Sequence, residues 1–98
     1  MTIYKLLYPV TVTTYPGDGS DERHETIASV EVRRPVAKDF RMLDSVIAGD
    51  VGKSLAMIEQ LTGLMRVQVD KLDGLDMTAI GAIIEGFMEP GPPTGGTP

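Results

Sequence analysis

His24 is the sole histidine of this 98-residue chain, and cysteine is absent. One histidine cannot build a multi-histidine metal site, and without cysteine neither a thiolate site nor a disulfide can form. A Ser–His–Asp arrangement would have to use His24. It falls at the edge of a hairpin loop, where no third group would hold the ring in place. It reads as a solvated loop residue.

Two further segments come near known chemistry and miss it. Gly49-Asp50-Val51-Gly52-Lys53-Ser54 approaches a phosphate loop. Such a loop needs a glycine five residues before the glycine of Gly-Lys-Ser, and Ile47 stands there. A helical pattern, not a buried strand, leads into it, so it reads as a helix–helix connection. Residues 69–80 faintly resemble a calcium loop around Asp73-Gly74. Its first, third and twelfth positions would be Val69, Lys71 and Ile80, none of which offers a side-chain carboxylate. Asp70, Asp73 and Asp76 read instead as caps and turn formers. No catalytic residue, cofactor site or metal site is expected.

Composition narrows the class. Fourteen Asp+Glu against nine Lys+Arg leave a formal charge of −5, which disfavours a phosphate-neutralising surface. The only basic cluster, Arg33-Arg34 with Lys38 and Arg41 beyond, reads as exposed charge flanking a strand end. No apolar run approaches the ~20 residues that span a bilayer. The opening MTIYKLLYPV lacks the pattern of a secretory signal, so a cytosolic protein is expected.

The elements follow from periodicity. Tyr4, Leu6, Tyr8, Val10 and Val12 alternate with more polar residues over 3–15, the period of a strand with one buried face. Pro9 cannot donate to a ladder, so the strand should be an edge or bulged there. A polar loop, 16–23, leads to a second alternating segment over 25–34, with Ala28, Val30 and Val32 on one side and Glu25, Glu31 and Arg33 on the other. Together they predict an antiparallel hairpin with Val10, Val12, Val30 and Val32 buried.

After Pro35 the period becomes helical. Val36, Phe40, Leu43 and Ile47 form one stripe, with Gly49 as the stop. Leu55, Ile58 and Leu61 form a second over 52–62, ended by Gly63. A turn near 66–71 precedes a last helix capped by Asp76, with Ile80, Ile83, Ile84 and Phe87 inward. Gly81 and Gly86 weaken that helix and would mark close approach by another. The expected fold is α+β, an N-terminal antiparallel β-hairpin followed by three or four short helices packed on it. Residues 1–89 would form this single domain, and 90–98 a disordered Pro/Gly-rich tail.

Met42, Met57, Met65, Met77 and Met88 all lie in the helical half, and aromatic residues are few. Methionine fills core gaps and also builds adaptable binding surfaces. Met57, Leu64, Met65 and Met88 are the candidate protein-binding residues, because they fall on or beside the core stripes.

Several short motifs, read in order, resemble the phage tail assembly chaperones of the protein E type found in contractile-tailed phages and prophages. They are Leu6-Leu-Tyr-Pro9-Val10, Val32-Arg33-Arg34-Pro35 followed by Asp39, Leu61-Thr62-Gly63-Leu64, and Val69-Asp70-Lys-Leu72-Asp73-x-x-Asp76, with Phe87 a helix length later. The likeness covers roughly residues 5–88, and Gly74 departs from the pattern. It implies a non-enzymatic chaperone that binds the tape measure protein and keeps it soluble until the tail tube polymerises. It further implies contact with the tail tube protein through a longer frameshift product. The setting would be the host cytoplasm, with the chain missing from the mature virion. Two other classes compete: a structural tail component retained in the particle, and a small regulatory protein-binding module. No nucleic acid or membrane partner is expected.

Overall fold

A computed structural model describes residues 2–15, 17, 19 and 21–89. The proposed tail over 90–98 lies outside the described residues. The architecture is α+β: an N-terminal hairpin followed by four helices.

Strands β1 (Thr2–Thr14) and β2 (Arg23–Val32) pair antiparallel. Their ladder is regular from Thr2↔Val32 to Lys5↔Ser29 and again from Val10↔Ile27 onward. In between, β1 spends Leu6 to Pro9 against the single residue Ala28 of β2. A proline without an N–H makes this the cheapest place to break the ladder.

The slip changes which side chains turn inward. Leu6, Val10, Val12, Val30 and Val32 are buried, including all four valines expected on the inner face. Tyr8 and Ala28, expected beside them, are exposed. Across the bulge the inward position on β2 passes to Ile27, which packs against the core opposite Val10. Strict alternation therefore fails on both strands at the same point.

Helix α1 spans Ala37–Leu43, shorter than its stripe suggests, and Gly49 begins the next helix rather than ending this one. The expected inner face of α1 is turned outward. Phe40 is 41% exposed, and Val36 and Ile47 are exposed too. Asp39 faces inward instead, with Leu43 packed on the core.

Helix α2 (Asp50–Thr62) buries Met57, Ile58 and Leu61. It stops at Gly63, whose φ of 77° is the left-handed conformation that glycine adopts without steric cost. Gly52 is required for another reason. A Cβ there would stand 2.5 Å from the Ala48 Cβ, so the chain entering α2 could not pack as it does.

Helix α3 (Arg66–Val69) is a single turn, and α4 (Gly74–Met88) closes the fold over β1, β2 and α2. Asp73, not Asp76, caps α4, accepting from the Leu75 N–H at 2.9 Å. Ile80 is fully buried, while Ile83, Ile84 and Phe87 pack half-buried on the core. No neighbouring atom lies within 4 Å of a Cβ placed at Gly81 or Gly86, so close helix approach does not explain these glycines.

Candidate protein-binding site

Two buried carboxylates hold the helices to the hairpin, and between the helices an apolar groove is left open. Asp39 stands at the third position of α1 and is 0% exposed. Arg33, just past the end of β2, meets it with a two-pronged contact, Nη1 to Oδ2 at 2.8 Å and Nη2 to Oδ1 at 2.7 Å. The carboxylate also accepts from the Val36 N–H at 2.8 Å and from Gln60 Nε2 at 3.1 Å. The Val36 bond is half of a capping box, since a valine cannot return it with its own side chain. These donors, led by the guanidinium, hold the Asp39 carboxyl well below the usual carboxylate range despite burial. Arg33 is thus an anchor and not the free surface charge its sequence context suggests. Its backbone N–H also reaches the Leu61 carbonyl at 3.0 Å, satisfying one of the unpaired carbonyls at the end of α2.

Asp76 stands at the third position of α4 and is likewise 0% exposed. It crosses to the bulge of β1. Oδ1 accepts from the Tyr4 hydroxyl at 2.7 Å and from the Leu7 N–H at 2.9 Å, and Oδ2 from the Tyr8 N–H at 3.0 Å. The bulge thus recovers, from a side chain some seventy residues away, partners for two N–H groups in the stretch where pairing with β2 lapses. Burial alone would raise the Asp76 pKa, but the three hydrogen bonds outweigh it and the net shift is downward. The same contact, with burial and the nearby negative charge, raises Tyr4 above its ordinary value.

Both roles escaped the sequence reading, although a signal existed. Asp76 falls on the stripe of Ile80, Ile83 and Phe87, and Asp39 falls one turn before Leu43. An acid in register with an apolar stripe will be buried and must find partners.

The open groove lies between α2 and α4 and has a volume of about 280 Å³. Val51, Ser54, Met57 and Ile58 form its α2 wall. Met77, Gly81, Ile84 and Glu85 form its α4 wall, and the bare Gly81 leaves the space a side chain would fill. Apart from its two acids, Asp76 and Glu85, α4 is almost wholly apolar or small, yet only Asp76 and Ile80 are buried among its 15 residues. A helix apolar on all sides ordinarily lies inside a larger structure.

The four candidate binding residues are distributed unevenly. Met57 is 7% exposed and lines the groove from within the core, so it is a structural residue as well. Leu64 is half-buried against the core. Met65 and Met88 are 58% and 53% exposed, and neither lines the groove. His24 is exposed and bonded to Thr13 on the outer hairpin. Among the described residues, no group of three or more His, Cys, Asp or Glu could hold a metal ion. None of the described helices is long and apolar enough to cross a membrane.

No curated protein and no solved structure matches the chain. A family model does, that of the phage tail assembly chaperone proteins, E, or 41 or 14, over residues 5–89. The match takes in the hairpin from Lys5 onward, both buried carboxylates and all four helices, and the chain belongs to the phage tail assembly chaperone family.

Proposed function

We propose that this chain is a non-enzymatic chaperone of the tape measure protein, receiving its apolar helical segments in the α2–α4 groove. Held this way, the tape measure protein stays soluble in the host cytoplasm until the tail tube polymerises. The chaperone then leaves and is missing from the mature virion. The observation that carries this reading is α4, apolar on nearly all sides with two of 15 residues buried, beside a groove left open at Gly81. Methionines at 57 and 77 give that groove a lining that can adapt to many similar segments.

The test is co-expression with the tape measure protein. Gly81→Leu places a side chain in the groove without meeting a neighbour at its Cβ. The variant should keep its helical spectrum and melt no lower than the native chain, while the tape measure protein passes to the insoluble fraction. A tape measure protein that stays soluble with Gly81→Leu removes the groove from the mechanism. Met65→Ser with Met88→Ser asks whether exposed methionines outside the groove add to the surface, whereas Met57→Ser would test the core. Mass spectrometry of purified virions should find no copy of the chain, and finding it in stoichiometric amounts would favour a retained tail component.

A further inference from the structure

The groove carries a charge bias along one edge. Glu85 lines it, and Glu89, one turn further on, is the C-cap of α4. Like charges four residues apart share a helix face and repel. The carbonyl end of a helix adds about half a negative charge, and the last turn of α4 holds no basic side chain to offset it. Neither glutamate forms an ion pair among the described residues. Glu85 on the lining, with Glu89 and the carbonyl end of α4 one turn beyond it, thus bias one end of an apolar groove towards negative potential, and the lining has no cation. A groove of about 280 Å³ falls just short of the roughly 300–1,000 Å³ of small-molecule sites, and suits side chains from a helix better than a whole ligand.

We infer that the groove selects amphipathic helices carrying Lys or Arg beside the apolar stripe, with the basic groups seated against Glu85 and Glu89. This rests on the groove being the docking site proposed above. A neutral stripe leaves the repulsion at the end of α4 in place, and an acidic helix adds to it. A basic helix removes it, so charge decides which of many apolar segments are accepted and in which direction they lie.

The probe is a pair of synthetic helical peptides of equal length with the same leucine stripe, one flanked by lysine and one by glutamate. Fluorescence anisotropy against the full chain should show the lysine peptide binding on the order of tenfold tighter, the scale of two rim ion pairs. The gap should shrink at high salt. Glu85→Lys with Glu89→Lys changes only exposed positions. It should keep its melting temperature and reverse the preference. Equal binding of both peptides, binding of neither, or a preference that survives the double substitution overturns the inference. The groove itself is judged separately. If Gly81→Leu fails to hold the tape measure protein while the native chain binds both peptides equally, the groove stands and the charge selection falls. If Gly81→Leu holds it as the native chain does, the groove falls, and the charge selection with it.

Discussion

Asp39 and Asp76 are both shut away from water, at the third position of a helix, and are satisfied in opposite ways. Asp39 faces a guanidinium, and its partners come from residues 33 to 60, close in the chain. Asp76 has no cation. It relies on one phenol and two backbone N–H groups, 68 to 72 residues away. The Arg33 side chain is one-third exposed and can turn to water if its partner is lost. The N–H groups of the bulge are fixed in the backbone and cannot swing away from the place Asp76 leaves. The difference teaches that the pairing with the larger charges need not be the one the fold depends on most.

Asp76→Ala should test that contrast hardest. It orphans the donors of the bulge and unties α4 from β1. The melting temperature should fall by roughly 10–15 °C, a large effect for a domain of this size. Asp39→Ala should cost less, about 5–10 °C, because Arg33 regains solvent. Equal losses, or a larger loss at Asp39, would reverse the ranking of the two anchors.

Acid sharpens the comparison. Both carboxyls titrate below the ordinary 3.8. Each thus stabilises the fold at neutral pH, and that contribution is lost as pH falls from about 4 through the native value. In Asp39→Asn, the acid sensitivity that remains reports Asp76. An Asp39→Asn variant as acid-labile as the native chain would assign the whole effect to Asp76. Alkali acts on the other partner. Tyr4 is raised above 10.0, so its contribution is present at lower pH and lost as pH rises through the native value. Tyr4→Phe should lower the melting temperature at neutral pH by only a few degrees, about 2–5 °C, and abolish this alkaline loss.

The smallest effect should have the opposite sign. Gly81→Ala adds a methyl group where no atom lies within 4 Å, and should stabilise the chain by about 0.5–1 kcal/mol. Destabilisation there would mean that α4 needs its glycine for a reason other than the open groove.

The same contrast explains what could be read from sequence. The hairpin, its four inward valines and the stop at Gly63 rest on local pattern and local steric rules, so they were legible. Pro9 marked the bulge, but not the consequence, because alternation cannot show that Leu7 and Tyr8 surrender their N–H groups to a helix at the other end of the chain. Hydropathy ranks a phenylalanine above an aspartate and so puts Phe40, not Asp39, on the inner face. The ranking fails where Arg33, Val36 and Gln60 converge to satisfy the aspartate. Capping needs only neighbours in sequence, so sequence alone makes Asp76 read as a cap. Its actual partners are a tertiary fact. The groove is legible only as an excess of apolar residues on α4 over what a small core can cover.

The bond between Asp76 and the bulge also sets an order of events during synthesis. At roughly 5–20 residues per second, the ~70 residues separating Tyr8 from Asp76 take about 4–14 s to translate. For that interval the hairpin lacks the helix that packs across both of its strands, and the apolar face of Leu6 and the four valines is covered only in part, by α2 and α3 once they are made. The slip at Pro9 and the charged outer positions Glu25 and Glu31 are features that keep such a sheet from pairing with others. A nascent chain halted before α4 should therefore be the most adhesive form of this protein, and completing one aspartate near the end closes it.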